Sequence, residues 1–216
     1  NRSGIIAVDI REGDALLDVV QTTGNDDLLL VTARGMAIRF HESDARDMGR
    51  NAAGVKGIEL EDGDEVVGGA VVPMTTDSDG DTVTTDPTLS LLTITENGYG
   101  KRTSVDEYRV QPEQGKMRSQ SRGGKGRVDI KTVDRNGRSV AALLVHEADD
   151  LVVATMQGQL VRMPVGSISL YGRGTQGVRI TKLNDGDKVA AASRAPRGAA
   201  DDGEPADQGT PGPAAE

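Results

Sequence analysis

The sequence contains no cysteine and no tryptophan, and its 216 residues include one phenylalanine and three tyrosines. The absence of cysteine excludes disulfide bonds and any metal site built on thiolates. No apolar run approaches the roughly eighteen residues that a membrane-spanning helix needs, and no secretory signal peptide is visible. Because aromatic side chains are scarce, the hydrophobic core is expected to be aliphatic.

Three segments of the chain share one pattern, at residues 28–39, 91–102 and 151–162. Each is an apolar, β-branched run, a two-residue turn that ends in glycine, and a return segment with arginine four residues after that glycine. Such a pattern predicts a β-hairpin, most clearly at the turn of Asn97 and Gly98. Helical periodicity is hard to find elsewhere, so the sequence predicts an all-β protein.

The hairpins belong to a longer repeat. Equivalent glycines at Gly4, Gly54, Gly126 and Gly177 are separated by 50, 72 and 51 residues. A period of roughly 40–50 residues with four short strands is typical of a propeller blade. The sequence therefore predicts a propeller-like repeat of four-stranded blades, one copy of which is enlarged by insertions.

The predicted organisation covers about three and a half blades within residues 1–196. It comprises a partial blade at 1–22, a blade at 23–72, an acidic insertion at 73–87, a blade with a basic loop at 88–145, a blade at 146–196 and an acidic tail at 197–216. The tail has few bulky apolar residues and is expected to be disordered. Because the chain begins inside a blade without methionine, we expect a fragment of a larger ring, whose first strand near residues 5–10 lacks its neighbours.

The charge of the chain is unevenly distributed. The net charge of −9 opposes binding to a polyanion, but residues 100–131 carry nine cations and four carboxylates, a net charge of +5. Screening limits each charge to its neighbourhood, so a local basic face on an acidic protein can still bind nucleic acid.

A basic, glycine-rich loop lies at the centre of this stretch. It consists of Gln120, Ser121, Arg122, Gly123, Gly124, Lys125 and Gly126, and Arg127 follows it. Glycines allow the backbone and the neighbouring cations to approach a phosphate chain closely. By composition alone, a flexible solvated loop explains the segment equally well.

The loop resembles the box motif of the C-terminal domain of the DNA gyrase A protein, in which glutamine and two basic residues precede Gly-Gly-Lys-Gly. Ser121 stands where the second basic residue is expected. Residues 96–103 and 172–178 also resemble the β-pinwheel blades of that domain. The resemblance implies a β-pinwheel that wraps or bends DNA around its rim, beside the cleavage core of an ATP-dependent type IIA topoisomerase.

The same resemblance implies the partners and the place of action. These are double-stranded DNA, the gyrase B protein and the N-terminal cleavage core of the gyrase A protein, in the bacterial cytoplasm and on the chromosome rather than on a membrane. It places ATP, magnesium and DNA cleavage elsewhere in the enzyme, so that this chain is expected to hold no cofactor, metal or catalytic residue. The degenerate box keeps open the equivalent domain of topoisomerase IV.

The recurring cations predict the DNA-binding surface. Arginine follows each hairpin and also lies in each following loop, and the basic stretch adds further cations; the candidates are Arg39, Arg102, Arg162, Arg50, Arg122, Arg173, Lys101, Lys125 and Arg127. A solvated strand or turn residue is the alternative for each. A second function, a protein-interaction scaffold without DNA binding, predicts that these cations scatter or face a central channel. DNA wrapping predicts one continuous outer edge.

Overall fold

The computed structural model describes residues 4–110 and 117–196, so the predicted tail lies outside the described residues. Regular structure in these ranges consists of strands and three short 3₁₀ helices, Glu42–Asp44, Val105–Tyr108 and Val165–Ser167. The strands are β1 (Asp27–Thr32), β2 (Met36–His41), β3 (Val66–Val72), β4 (Met74–Thr76), β5 (Thr82–Thr84), β6 (Ser90–Thr95), β7 (Tyr99–Ser104), β8 (Arg127–Val128), β9 (Ser139–Val145), β10 (Asp150–Thr155), β11 (Leu160–Pro164), β12 (Val178–Arg179) and β13 (Val189–Ala195). The all-β prediction is confirmed.

The three predicted hairpins are present. Antiparallel pairing joins β1 to β2, β6 to β7 and β10 to β11. Their turns place Gly35, Gly98 and Gly158 at φ values of 80°, 77° and 85°, in the left-handed region that glycine adopts without steric cost. The glycine at the end of each turn is therefore required by the backbone of the hairpin.

Each hairpin forms the centre of a sheet. The strand orders are β3-β1-β2-β8, β9-β6-β7-β12 and β13-β10-β11, and β4 and β5 form a small separate hairpin within the acidic insertion. The outer strands β8 and β12 come from the following repeat, at residues 127–128 and 178–179. The sheets therefore differ from contiguous blades at 23–72 and 88–145, because each repeat contributes a short outer strand to the sheet of the repeat before it.

The core lies between neighbouring sheets. Successive side chains of a strand point to opposite faces, and Leu91 and Leu92 of β6 accordingly pack in two different clusters. Leu91 joins Leu29 and Val31 of the first sheet, whereas Leu92 joins Leu151 of the third. Strand β6 is buried along its whole length because a sheet covers each of its faces.

The segment from residue 4 to residue 20 lies outside the sheets and is exposed. The amide of Asp9 donates to the carbonyl of Ala52 at 3.4 Å. Apart from this hydrogen bond, the segment expected to be a strand near residues 5–10 pairs with no strand in the described ranges. In the described ranges, no helix has the length and apolar character needed to cross a membrane.

Candidate nucleic-acid interface

The basic loop is attached to the first sheet by backbone hydrogen bonds. The amide of Gln120 donates to the carbonyl of Arg39 at 2.8 Å, and the amide of Gly123 donates to the carbonyl of Gly57 at the same distance. The loop then runs into β8, the outer strand of that sheet. Its position is therefore fixed by the repeat that precedes it.

The last glycine of the loop is required by packing rather than by an approaching phosphate. Gly126 has a φ of 74°, and a Cβ at this position would lie 2.3 Å from the carbonyl oxygen of Ala37. Gly177 repeats the arrangement, with a Cβ position 2.7 Å from the carbonyl oxygen of Gly100. Both glycines allow an outer strand to lie directly against the edge of its hairpin.

The two principal cations of the loop have different surroundings. Arg122 donates its Nε–H to the carbonyl of Asp44 at 2.9 Å, and its guanidinium also donates to the carbonyl of Lys56. Its side chain thus braces the loop against the first sheet. Lys125 is exposed, and within the described ranges its ammonium has no hydrogen bond or ion pair. Lys125 can therefore contact a ligand without breaking an internal interaction.

Two of the predicted surface arginines are buried and join neighbouring sheets. Arg39 pairs with Asp27 at 2.7 Å and donates to the carbonyl of Val105, in the 3₁₀ helix after the second hairpin, at 2.8 Å. Arg102 donates its Nε–H to the carbonyl of Ile168, beyond the third hairpin, at 2.6 Å. The prediction that Arg39 and Arg102 form part of a DNA-binding surface is corrected, because their donors are engaged inside the protein.

Lys101 is also buried, in a polar network beneath the basic stretch. Its ammonium lies 3.3 Å from Asp129 Oδ1 and donates to the carbonyl of Gly172 at 3.0 Å. Tyr108 and Thr93 donate their hydroxyls to the two oxygens of Asp129, each at 2.6 Å. Lys101 was predicted to contact DNA, but this network keeps it away from the surface.

The network changes the titration of two of its members. Burial lowers the pKa of the Lys101 ammonium, and the charge of Asp129 opposes that shift. Burial raises the pKa of the Tyr108 phenol well above its ordinary value, and the negative charge of Asp129 raises it further. The network therefore favours the neutral form of Tyr108.

The remaining predicted cations lie at or near the surface. Arg50 is exposed in the loop after the first hairpin, and Arg162 has 56% of its side chain exposed while it pairs with Asp150 at 2.8 Å. Arg127 donates to the carbonyl of Arg109 at 2.8 Å and is half-buried. Each of these cations is accessible at least in part.

Arg173 connects two repeats. Its guanidinium lies 3.7 Å from Glu107 and 3.5 Å from the carbonyl of Val128 in β8. The surrounding loop is held to the residue that follows this strand, since the amide of Gly174 donates to the carbonyl of Asp129 at 2.6 Å. Cations from two consecutive repeats are thus brought to one outer strand.

We call this set of cations the outer basic edge. It follows the loop at 56–57, the basic loop, β8 and the loop at 172–176, and its members are Lys56, Arg122, Lys125, Arg127, Lys131 and Arg173. Lys56 and Lys131 were not among the predicted contacts. Lys56 carries no local signal in the sequence, because only the hydrogen bonds of the fold bring its loop beside the basic loop.

A cavity between the innermost strands β3, β9 and β13 has a different character. Inner strands at 67–69, 140–143 and 190–192 line a cavity of about 230 Å³ together with Leu17 and Asp18. No lysine or arginine is among its lining residues in the described part of the chain. The cations of the outer basic edge therefore lie away from this cavity.

The two histidines form no metal site. His41 contacts the hydroxyl of Ser43 at 2.8 Å, and His146 lies 3.3 Å from Asp86. Across residues 4–110 and 117–196, no group of three or more histidine or acidic side chains is arranged to hold a metal ion.

The chain is similar to proteins of one family in sequence. A family model described as the DNA gyrase C-terminal domain, beta-propeller, matches residues 1–23, 26–73, 90–117 and 149–196, which is more than half of the chain. The DNA gyrase A protein of Haloquadratum walsbyi is 45% identical over 207 residues, which cover 96% of this chain and 22% of that protein. The DNA gyrase A protein of Staphylococcus epidermidis is 42% identical over 194 residues, covering 90% and 20% respectively. The chain thus spans about a fifth of the length of these relatives.

Solved structures confirm the architecture. A DNA gyrase A C-terminal domain has a TM-score of 0.72 at 23% identity, over 89% of this chain and 58% of that one. The C-terminal domain of a DNA topoisomerase IV has a TM-score of 0.74 at 24% identity, over 88% and 53%. At these identities the likeness establishes the fold, and the sequence matches decide between the two families. The chain belongs to the DNA gyrase C-terminal domain family of β-propellers.

Proposed function

We propose that this chain binds duplex DNA along the outer basic edge and bends it, as the C-terminal part of a gyrase A protein. The observation that carries the proposal is the continuity of the edge, which runs from the loop at 56–57 across β8 to the loop at 172–176. Bending requires contacts on more than one blade, because a single patch of cations can bind a straight duplex without holding it in a curve. Membership of the family supports the same function.

The chemistry of the edge fits the phosphate backbone rather than the bases. Lysine and arginine neutralise phosphates and release condensed counterions, which gives affinity that falls steeply with salt. Bending 20–30 bp costs about 1–6 kcal/mol, so additional contacts along the edge must offset that cost. Arg122 holds the loop in place, while Lys125 extends from it with its charge available.

The rest of the activity is proposed for the whole enzyme. There the chain would act beside the gyrase B protein and the N-terminal cleavage core of the gyrase A protein, in the cytoplasm and on the chromosome. ATP hydrolysis, magnesium binding and strand cleavage are assigned to those parts. This domain would supply the DNA path that makes ATP-dependent supercoiling directional.

The test is duplex binding across a salt series by the parent and by Lys56→Ala/Lys125→Ala. Both lysines are exposed and belong to the outer basic edge. The slope of log affinity against log salt should become shallower by about 2, with weaker binding to every sequence. The matched control is Arg11→Ala/Lys182→Ala, which removes the same charge from exposed positions outside the edge.

The outcomes distinguish DNA binding along a defined edge from a protein-interaction scaffold without DNA binding. Equal weakening by both double variants would mean that net charge alone governs binding, without a defined edge. Absence of binding by the parent at low salt would contradict the proposal and favour a protein-interaction scaffold.

A further inference from the structure

Two arginines outside the outer basic edge lie against one tyrosine of the second sheet. The guanidinium carbon of Arg135 lies over the ring of Tyr99 at 5.1 Å from its centroid, and that of Arg179 lies at 5.4 Å. Arg179 on β12 is the direct cross-strand neighbour of Tyr99 on β7. Tyr99 is 8% exposed, whereas both arginines are exposed. We call these three residues the tyrosine cluster.

The fold holds both arginines close to the ring. The side-chain amide of Asn97, in the turn of the second hairpin, donates to the carbonyl of Arg135 at 3.2 Å. Arg179 is fixed by the pairing of its strand and donates to the hydroxyl of Tyr99 at 3.0 Å. A guanidinium is attracted to the face of an aromatic ring. The ring therefore keeps two positive charges near each other.

No carboxylate neutralises the tyrosine cluster within the described ranges. Each of the two guanidiniums donates one hydrogen bond to a neutral side chain, and neither forms an ion pair. By contrast Arg138, three residues beyond Arg135, pairs with Asp64 at 4.0 Å. Neighbouring like charges repel, and an anion placed beside them removes that cost. A pair of arginines without a carboxylate, in a chain of net charge −9, therefore favours an anionic ligand.

The tyrosine cluster is not a structural element that the repeat copies. In the first sheet, Met36 and Val128 occupy the positions of Tyr99 and Arg179, so that both the ring and the cation are absent there. That sheet nevertheless pairs with its outer strand in the same way. Because the fold forms without the cluster, its residues favour a role in binding rather than in stability.

The cluster adjoins the outer basic edge through Gln176. Arg135 donates to Gln176 Oε1 at 2.8 Å, and the side-chain amide of Asn136 donates to the carbonyl of Gln176 at 2.9 Å. Gln176 ends the loop that carries Arg173, and the chain then enters β12 with Arg179. Exposed cations thus continue from the outer strand of the first sheet to the outer strand of the second.

We infer that Arg135 and Arg179, held by Tyr99, bind phosphates of the duplex beyond the outer basic edge. The inference rests on the proposed function and adds a second contact region to it. Guanidinium N–H groups form charge-assisted and bidentate hydrogen bonds with phosphate oxygens. The phosphates supply the negative charge that no carboxylate provides. Contacts on both β8 and β12 hold the duplex at two successive sheets, so the cluster contributes to bending as well as to affinity.

The main experiment measures binding of a 20–30 bp duplex across a salt series. In Arg135→Gln/Arg179→Gln, the slope of log affinity against log salt should become shallower by about 2. The labelled ends of the duplex should also approach each other less than with the parent. Arg11→Gln/Lys182→Gln removes the same charge from exposed positions outside the cluster and should behave as the parent.

Variants of the tyrosine test its role in holding the arginines. Tyr99→Phe keeps the ring and should bind DNA as the parent does. Tyr99→Leu leaves every charge in place but removes the ring, so it should bind more weakly. Urea unfolding of both variants controls for the loss of a buried side chain. Unchanged DNA binding by a folded Tyr99→Leu protein would contradict the part assigned to the ring.

A second experiment distinguishes duplex phosphates from free phosphate. Thermal unfolding is measured in inorganic phosphate and in chloride at equal ionic strength. Phosphate stabilises proteins in general through its exclusion from their surface, so the difference between parent and variant is the informative quantity. Phosphate should raise the Tm of the parent and of Arg11→Gln/Lys182→Gln more than that of Arg135→Gln/Arg179→Gln. An equal rise in all three proteins would overturn the phosphate site.

The outcomes keep this inference separate from the proposed function. Salt-sensitive DNA binding with the same slope in the parent and in Arg135→Gln/Arg179→Gln would overturn the inference and leave the outer basic edge in place. A phosphate response that is lost in this variant while its DNA binding is unchanged would assign the cluster to free phosphate and overturn its role on DNA. A parent that binds no duplex at low salt would contradict both.

Discussion

Arg39 and Asp27 face each other across the first hairpin at 2.7 Å, with both side chains withdrawn from solvent. Arg162 and Asp150 repeat the pair in the third hairpin at 2.8 Å, but 56% of the Arg162 side chain is exposed. The two pairs occupy equivalent positions in the repeat. Arg39 is buried because the next sheet along the chain packs against it with the 3₁₀ helix Val105–Tyr108.

Replacing Arg39 by alanine should be strongly destabilising. The change leaves Asp27 buried without its cation, and breaking a buried pair in this way costs about 3–5 kcal/mol. Arg162→Ala removes the same pair where the arginine is 56% exposed and the carboxylate of Asp150 is 5% exposed, so water can replace the guanidinium and the loss should be smaller, about 1–3 kcal/mol. Urea unfolding of both variants measures the difference. Equal losses would show that burial by the neighbouring sheet does not determine the strength of this pair.

Two glycines of the basic loop should respond differently to alanine. Gly126→Ala forces a Cβ to within 2.3 Å of a backbone carbonyl at a positive φ, so we expect a loss of at least about 1–3 kcal/mol. Gly124→Ala meets its nearest atoms at 4.0 Å and should change stability by less than about 1 kcal/mol. Thermal unfolding distinguishes them.

DNA binding by the same two variants separates the roles of the glycines. If Gly124→Ala weakens binding while stability is unchanged, that glycine serves contact with phosphate. If only Gly126→Ala weakens binding, the glycines act by positioning the loop. A stable Gly126→Ala protein would contradict the packing described for β8.

Tyr108→Phe should change how stability depends on pH. The folded-state pKa of Tyr108 is raised above the ordinary 10.0, so the folded chain retains a proton that the unfolded chain releases. The stability from this difference is fully present below pH 10 and is lost as the pH rises through the folded-state value. The parent should therefore lose stability above about pH 10, and the variant should lose less.

Comparing the parent with Tyr108→Phe isolates the contribution of the Tyr108 hydroxyl, because Lys101 is present in both proteins. Below pH 10 the variant should be less stable by about 1.5–3 kcal/mol, since Asp129 loses a hydrogen bond. Urea unfolding from about pH 9 to about pH 11 provides the measurement. Parallel curves would show that Tyr108 ionises equally in both states.

The hairpins could be predicted from the sequence because each is a local structure. The pairing within 28–39 needs only the apolar run and the turn glycine, and both recur in the other copies. Strand β8 could not be assigned to its sheet in this way. It has only two residues, too few to show the alternation of apolar and polar side chains that identifies a strand. Its partners, Met36 and Ala37, belong to the preceding repeat.

The candidate site shows the same limit. Arg39 and Arg162 hold the same position in two copies of the hairpin repeat, so the sequence predicts the same surface role for both. Burial depends on whether another sheet packs over the hairpin, which is a property of the assembled repeat. Lys56 illustrates the opposite case, because an ordinary loop lysine joins the outer basic edge only through backbone contacts of its loop with Arg122 and Gly123.

The most direct test of the proposed function measures the shape of bound DNA. A duplex of 20–30 bp labelled at both ends is titrated with the chain at low salt, and energy transfer between the labels is recorded. We expect the ends to approach each other on binding by the parent, and to approach less with Lys56→Ala/Lys125→Ala than with Arg11→Ala/Lys182→Ala. Saturating, salt-sensitive binding that leaves the end-to-end distance of the free duplex unchanged would contradict DNA bending by this chain.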